Sequence, residues 1–348
     1  MSGITQLVAI GAQDVHLTGN PDVSFFRNNF KRYTNFSLTT RRQRFSGNPT
    51  AGSMTSVNIE KNGDLLNYMY LVAIDSNGRA IDVDSWSNYV DQVELLIGGQ
   101  VVDTQDSVFT EEIAIDTLAN NFSKCYAGGN HGGDASTSRF YPLRFFCCES
   151  WGSSIPLVAL QYHDVQLRIK WGPNFSGVSR FEFNACFVCL DTDERKLFTN
   201  NEVNLTIFQV QKSPASNQLI QELNFNHPVK YIASSNVAGP HNNLVGPNTM
   251  VRLVANGVDL TEDNLTMPYF TTVQSYYHSD YSYANTQNAF LYSFGLMMNR
   301  LQPTGTLNFS RLNSFKIHST ALVNKDVYAV NYNILRIKNG MGAVVYAN

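Results

Sequence analysis

The sequence is poor in charge. Only 15% of its 348 residues are Asp, Glu, Lys or Arg, while 43% are hydrophobic, and soluble domains usually carry about 25% charged residues. An ordinary hydrophobic core is therefore combined with a largely polar, uncharged surface. Such a surface suits packing against other proteins, because little charge must be desolvated, and it also suits sugar binding. The net charge of −3 gives no whole-molecule attraction for nucleic acid.

Long apolar runs and a secretion signal are also missing. No run approaches the roughly 20 residues that a membrane-spanning helix needs, and residues 1–17 lack the basic and apolar regions of a signal peptide. The five cysteines are an odd number in a chain without a secretory route, which argues against a disulfide framework. We therefore expect synthesis in the cytosol and free thiols.

Acidic residues are absent from 23–59, although the chain as a whole is weakly acidic. This stretch contains six basic residues, which are Arg27, Lys31, Arg32, Arg41, Arg42 and Arg44. Two interpretations remain open from the residues alone. The stretch is either a nucleic-acid contact with interleaved aromatic residues, or an arm that docks on an acidic partner or a neighbouring subunit.

Alternation of apolar and polar residues dominates the rest of the chain and predicts half-buried antiparallel strands, for example at 163–171, 181–190 and 328–337. Asn-Gly turn signals recur between the strands, at 62–63, 77–78, 256–257 and 339–340. Many short strands with frequent turns indicate a sandwich or a jelly roll. Helices are expected at only three places, 20–30, 110–122 and 190–198.

Two pairs of segments recur at a similar offset. Residues 94–103 resemble 252–259, and residues 141–169 resemble 292–317. This pattern predicts a tandem duplication of one β-domain, with a boundary near 198–205. We therefore expect an N-terminal arm at 1–24, a first β-domain at 25–200 and a second at 201–348.

Three motifs could carry chemistry, and each has a simpler explanation. The Cys-X-X-Cys pattern at 186–189 lacks the second pair that a zinc site needs, so buried structural thiols are the better interpretation. The Gly-rich segment 128–134 lacks the ending of a phosphate-binding loop and reads as a surface loop. His278, Asp280 and His318 match the pattern of a non-haem iron oxygenase, a short motif that often arises by chance.

Eight segments, in order along nearly the whole chain, resemble the major capsid proteins of nucleocytoplasmic large DNA viruses. They lie at 11–36, 63–72, 93–103, 155–169, 190–198, 225–232, 292–317 and 328–348. The resemblance implies two consecutive eight-stranded jelly rolls in an all-β chain with a few short helices. It further implies a homotrimeric capsomer of pseudo-hexameric outline, which tiles an icosahedral shell around an internal membrane and the genome.

The same resemblance implies partners. They are further copies of the chain, neighbouring capsomers and minor capsid proteins, with the viral membrane nearby but not spanned. The family places the N-terminal segment at the capsomer base, so the six basic residues are expected to contact protein, without direct contact to nucleic acid. We expect no cofactor, no metal and no catalytic residue, and we expect assembly in the host cytoplasm.

One departure from the family concerns length, since its members often carry long loops that this chain has little room for. A minor or vertex capsid component of the same fold is therefore an alternative. Alternatives of other classes are a carbohydrate-binding β-sandwich and the iron oxygenase.

Overall fold

A computed structural model divides the chain into two units, Met1–Asn35 and Phe36–Asn348. The residues that the structure describes are 2–28, 30–83, 85–121, 123–124, 139–236, 243–246, 248–261, 264–280 and 289–347. The predicted Gly-rich loop at 128–134 lies outside them.

The N-terminal unit contains two short helices, α1 (Ser2–Val8) and α2 (Val15–Thr18). The helix predicted to begin at Asn20 and run to about Phe30 is wrong, because residues 21–28 contain no helix. The reason is local. Asn20 has a φ of +50°, in the left-handed region, whereas the residue that caps a helix N-terminus is extended.

The second unit is built from four antiparallel sheets, and its first half supplies two of them. Sheet 1 has the strand order β1-β10-β4-β7, with β8 paired to β4, and sheet 2 has the order β2-β3-β9-β5-β6. Their strands are β1 (Phe36–Gln43), β2 (Phe45–Ser46), β3 (Met54–Asn58), β4 (Leu65–Ile74), β5 (Val90–Ile97), β6 (Gln100–Asp106), β7 (Tyr141–Pro142), β8 (Ile155–Pro156), β9 (Val165–Trp171) and β10 (Arg180–Leu190).

The second half repeats this arrangement. Sheet 3 has the order β11-β20-β13-β17, with β18 and β21 attached, and sheet 4 has the order β12-β19-β14-β15, with β16 attached. Their strands are β11 (Val203–Ser213), β12 (Ile220–Glu222), β13 (Pro228–Ser234), β14 (Met250–Ala255), β15 (Val258–Asp259), β16 (Leu265–Thr266), β17 (Phe290–Ser293), β18 (Leu307–Asn308), β19 (Phe315–Ser319), β20 (Val327–Lys338) and β21 (Met341–Val344).

Among the described residues of this unit, helices are few and short. Two π-helical turns, Phe109–Ile113 and Tyr269–Val273, continue directly into α-helices. We call 109–117 the first helical segment and 269–278 the second helical segment. The α-helices are α3 (Ala114–Thr117), α4 (Phe146–Glu149), α5 (Thr192–Asn200) and α6 (Gln274–His278), and the 3₁₀ turns are Trp86–Asn88, Trp151–Ser153, Leu157–Ala159, Asn243–Val245 and Phe309–Arg311. The helices predicted at 110–122 and 190–198 are thus confirmed in position.

The two halves correspond strand by strand. The order β1-β10-β4-β7 matches β11-β20-β13-β17, and the order β3-β9-β5-β6 matches β12-β19-β14-β15. Each half thus places its eight principal strands in two facing sheets, the arrangement of a jelly roll. The predicted fold class, two tandem eight-stranded jelly rolls with a few short helices, is confirmed.

Side-chain alternation explains the strands. In β9 the side chains of Val165, Leu167, Ile169 and Trp171 are buried, and those between them are not. The predicted strands 163–171, 181–190 and 328–337 are confirmed as β9, β10 and β20. The turns at 256–257 and 339–340 have positive φ at both residues, as a tight two-residue hairpin turn requires.

Strand β20 departs from simple alternation, because all its residues from 327 to 333 are buried. Val327 and Ala329 pack into the core between sheets 3 and 4, whereas Tyr328 and Val330 pack into the hydrophobic cluster of the first half. Sheet 3 therefore has apolar neighbours on both faces.

Candidate assembly surfaces

The junction between the two jelly rolls is a buried interface within one chain. On the side of sheet 3, the apolar residues that join the hydrophobic cluster of the first half are Ile207, Phe208, Tyr231, Ala233, Leu291, Tyr328, Val330, Leu335 and Ile337. The first helical segment packs against this face, and the rings of Phe109 and Tyr328 lie 5.9 Å apart. Burial of these apolar side chains stabilises the association of the two jelly rolls.

Hydrogen bonds at the junction join the first helical segment and the end of β6 to sheet 3. The hydroxyl of Tyr231 donates to Thr117 Oγ1 at 2.9 Å, and both side chains are fully buried. The hydroxyl of Tyr328 donates to Asp106 Oδ2 at 2.7 Å. Each of these bonds satisfies a polar group that would otherwise be stranded in an apolar interface.

An ion pair reinforces the same contact. Lys212 Nζ lies 2.9 Å from Asp106 Oδ2 and 2.7 Å from Asp326 Oδ2. Lys212 and Asp326 belong to the second half, and Asp106 belongs to the first. The lysine therefore bridges carboxylates of both halves.

Three carboxyl groups are buried close to the junction. Desolvation by burial raises the pKa of Asp103 and of Glu111 to about 7 each. The pKa of Glu112 rises to about 9, because burial is joined by repulsion from Glu111. Glu112 is hydrogen-bonded to Ser235 of the second half, so at neutral pH a protonated carboxyl spans the interface.

A buried lysine lies on sheet 3 as well. Lys230 is only 2% exposed, and desolvation by burial lowers its pKa to about 7. Its Nζ donates to the Arg300 carbonyl at 2.7 Å and lies 5.4 Å from the Tyr332 ring centre. Groups with displaced pKa values can mark catalytic sites. Here Asp103 accepts a hydrogen bond from the Val210 backbone N–H and Glu112 accepts one from Ser235, so these two carboxyl groups lie at the contact between the halves.

The six basic residues predicted as assembly contacts divide between the two units. Arg27, Lys31 and Arg32 belong to the N-terminal unit, and all three are exposed. The other three lie on or directly after edge strand β1 of sheet 1, and these are Arg41, Arg42 and Arg44. They are exposed too, and Arg42 pairs with Glu182 at 3.0 Å. Their role in assembly stays a prediction.

The residues of the iron-oxygenase alternative are engaged in packing. His278 Nδ1 lies 3.0 Å from the Leu296 carbonyl, and Asp280 pairs with Arg300 at 3.3 Å. His318 lies on β19, opposite Arg252 of the neighbouring strand. Within the described ranges, no group of three His, Cys, Asp or Glu side chains is arranged to hold a metal ion.

The predicted structural thiols are confirmed for Cys186, which is buried, while Cys189 is half-buried. Cys147 and Cys148 are likewise not joined to other cysteines. In the part of the chain that the structure describes, no helix is long and apolar enough to cross a membrane.

An aromatic surface on sheet 1 was not predicted from the sequence. Tyr68 is 37% exposed, its ring packs edge-on against Trp151 at 5.9 Å, and Trp151 is 56% exposed. These rings line a cavity of about 840 Å³ together with Tyr70 and Arg144. The signal in the sequence was the pair of tyrosines in the alternating segment 63–72, whose outward side chains are aromatic instead of polar.

A second aromatic surface lies on the second helical segment. Tyr276 is 78% exposed and Tyr277 is 68% exposed, and their rings meet edge-on with centres 4.9 Å apart. Large aromatic side chains exposed in neighbouring positions are typical of contact surfaces.

Comparison with protein families gives two consecutive matches. The model described as the major capsid protein N-terminus matches residues 24–182, and the model described as the large eukaryotic DNA virus major capsid protein matches residues 194–343.

Similar curated proteins cover the whole chain. The major capsid protein of Pyramimonas orientalis virus is 31% identical and that of Paramecium bursaria Chlorella virus 1 is 29% identical, each over 99% of both chains. These alignments extend over 401 and 442 positions. Both numbers exceed 348, so the relatives carry segments that this chain lacks, in agreement with its expected shortness.

Solved structures share the fold. The quasi-atomic model of the PBCV-1 virus capsid has a TM-score of 0.75 at 24% identity, and covers 93% of this chain and 100% of that one. The Faustovirus major capsid protein has a TM-score of 0.66 at 11% identity, with 94% of each chain covered.

Proposed function

Because the chain belongs to the major capsid protein family of large eukaryotic DNA viruses, we propose that three copies of it form one capsomer, and that capsomers tile an icosahedral shell. The chain is a structural component of a virion capsid. We propose, in addition, that the capsomer is a trimer with a pseudo-hexameric outline and that it contacts neighbouring capsomers.

The observation that carries this proposal is the repetition of one jelly roll within the chain. Two similar jelly rolls, joined by a buried junction, form a rigid double unit. Three double units place six similar jelly rolls in a ring, which gives a capsomer an outline that packs on a hexagonal lattice. Symmetry then multiplies weak lateral contacts into a stable shell.

The division of the chain follows from the same proposal. We assign residues 1–24 to an arm, 25–200 to the first jelly roll and 201–348 to the second. The strands of sheets 1 and 2 lie within 36–190, and those of sheets 3 and 4 lie within 203–344, which supports a boundary close to 200.

The proposed partners are neighbouring capsomers and minor capsid proteins, with assembly in the host cytoplasm beside an internal viral membrane. The six basic residues of 23–59 leave a charge of −9 on the rest of the chain, since −3 minus +6 is −9. Positive side chains exposed in an acid-free segment therefore find acidic surface on other copies. We assign Arg27, Lys31 and Arg32 to protein contacts at the capsomer base.

Native mass spectrometry of the purified chain tests the trimer. We expect a dominant species of three times the 38.9 kDa of one chain. A chain that stays monomeric at high concentration contradicts the proposed function.

A further inference from the structure

Sheets 1 and 3 correspond residue by residue. The cross-strand pairs Leu66↔Phe187, Met69↔Ala185 and Tyr70↔Asn184 of sheet 1 correspond to Val229↔Asn331, Ile232↔Ala329 and Ala233↔Tyr328 of sheet 3. The pairing register shifts at the same place in both sheets, between the first and second pair of each series. Tyr68 of sheet 1 therefore occupies the position of Tyr231 in sheet 3.

The helical segments correspond in the same way. The π-helical turn Phe109–Ile113 matches Tyr269–Val273, and α3 matches the start of α6. Counting from the start of each turn, Tyr277 occupies the position of Thr117.

Within one chain, the outer face of sheet 3 is covered by the first helical segment. Tyr231 is 0% exposed at this contact, and Phe208 of the same face is 2% exposed. On the helical side, Ile113 and Thr117 are both 0% exposed.

The equivalent surfaces on sheet 1 and on the second helical segment are exposed within one chain. On sheet 1, Tyr68 is 37% exposed, and Leu38, which corresponds to Phe208, is 50% exposed. On the second helical segment, Val273 and Tyr277 are 36% and 68% exposed, although they correspond to the buried Ile113 and Thr117. One chain therefore makes this contact once, between the first helical segment and sheet 3, which we call the filled contact. The two surfaces of a second, equivalent contact, which we call the open contact, lie on sheet 1 and on the second helical segment and do not meet within the chain.

The charges around the contact are repeated only in part. Lys212 and Asp326 of sheet 3 correspond to Arg42 and Glu182 of sheet 1, and both form ion pairs. Asp106, which joins Lys212 across the filled contact, corresponds to Thr266. The open contact therefore replaces the ionic bridge by aromatic surface.

We propose that the second helical segment of one copy docks on the outer face of sheet 1 of the next copy, with Tyr277 against Tyr68 and Trp151. This assignment rests on the trimer proposed above and names the surfaces that hold it. The two sides lie on different parts of one chain, so the contact is heterologous. A heterologous contact closes into a ring of three when neighbouring copies are related by one third of a turn, as the proposed trimer requires. In such a ring of three, filled contacts within chains alternate with docked contacts between chains.

Photo-crosslinking tests the assignment directly. A benzoylphenylalanine side chain replaces Tyr277 in the full-length protein, and isotopically labelled and unlabelled copies are mixed before irradiation. We expect crosslinked peptides that join position 277 of one copy to the region of 65–74 or 151 of another. The control places the same side chain at Tyr162, which is 70% exposed on a loop and whose backbone N–H donates to the Gly340 carbonyl. It belongs to neither proposed surface and should give no crosslink to sheet 1.

A charge pair gives an independent test. Tyr68→Glu and Tyr277→Glu each place a carboxylate in an aromatic contact, and each should weaken trimer association by roughly 10- to 100-fold, the range of an interface hot spot. Combining Tyr68→Glu with Tyr277→Lys should restore most of the association, because the opposite charges then meet. Tyr162→Glu is the matched control and should remain trimeric. Circular dichroism and thermal melting establish that every variant is folded.

The outcomes separate the two proposals. If the wild-type protein is a monomer, the proposed function fails. If the wild-type is a trimer but the single variants stay trimeric, or the crosslinks from position 277 map elsewhere, the docking assignment is overturned while the trimer stands. Rescue of association by the Glu–Lys pair supports the docking assignment.

Discussion

The hydroxyl of Tyr231 donates a hydrogen bond to Thr117 Oγ1 at 2.9 Å, and this bond joins the second jelly roll to the first helical segment in the middle of an apolar junction. Thr117 Oγ1 itself donates to the Ile113 carbonyl at 2.8 Å. The tyrosine is therefore tied to a side chain that the helical segment already holds in place.

Tyr231→Phe should lower the free energy of unfolding by about 1 kcal/mol, because one buried hydrogen bond is lost while the ring is retained. Tyr231→Ala should cost about 3–5 kcal/mol, because it also leaves a cavity in the junction. Urea denaturation measures both values, and Tyr162→Phe on the exposed loop is the control. An unchanged midpoint for Tyr231→Phe would show that the bond does not stabilise the junction.

Glu112 should make the protein less stable as the pH rises. Burial raises its pKa from 4.5 to about 9, so between these values the folded state holds a proton that the unfolded chain has released. The free energy of unfolding therefore falls with rising pH across this window. Glu112→Gln keeps a hydrogen-bond partner for Ser235 and removes the titration.

We expect Glu112→Gln to raise the melting temperature near pH 9, with a gain of about 1–3 kcal/mol in the free energy of unfolding. Near pH 5 it should change little. The control is Glu222→Gln on β12, because Glu222 is exposed. Equal effects of Glu112→Gln at both pH values would contradict the assignment of a buried protonated carboxyl.

Lys230 should act in the opposite direction. Burial lowers its pKa from 10.5 to about 7, so between these values the unfolded chain binds the proton and the folded state does not. The free energy of unfolding therefore rises with pH across this window. Lys230→Met retains the length of the side chain and should stabilise the protein most below pH 7, where the native lysine carries a buried charge.

Melting curves across the pH range measure the effect of Lys230→Met, with Lys316→Met on the partly exposed side of β19 as the control. Stabilisation that grows as the pH rises above 7 would contradict the predicted sign. The native protein contains both Glu112 and Lys230, so their opposing slopes overlap between about pH 7 and pH 9, and each variant should expose the slope of the other group.

Reversing Arg27, Lys31 and Arg32 to Glu should leave folded trimers but impair shell assembly, because the three residues are exposed in the N-terminal unit. Size-exclusion chromatography measures the trimer, and particle counts by electron microscopy measure assembly. The control reverses three basic residues elsewhere, which are Arg79, Lys196 and Arg311. Normal particle formation by the Arg27, Lys31 and Arg32 variant would contradict a docking role for these residues.

Most of the strands could be predicted from the sequence. In a strand with one buried face and one polar face, apolar and polar residues alternate along the chain. Residues 165–171 show this plainly. The sequence was misleading at Asn20, where an Asn-Pro pair resembles a helix start but the backbone adopts φ +50°. Local propensity does not distinguish a helix start from a turn at this position, since Asn and Pro are common in both.

The candidate assembly surfaces could not be predicted from alternation alone. Tyr68 and Tyr231 occupy equivalent places on equivalent strands, yet one is exposed and the other is fully buried. The difference arises from the packing of one jelly roll on another, which joins residues more than 100 positions apart, such as Tyr231 and Thr117. The equivalence itself becomes visible only when the cross-strand register of both sheets is known.

Electron microscopy of the purified protein shows whether three copies form the proposed capsomer, because a capsomer is recognisable by its shape. We expect class averages of a particle with three-fold symmetry and six lobes, one lobe for each jelly roll. Two-lobed particles without three-fold symmetry, at a concentration where the chain is folded, would contradict the proposed trimeric capsomer.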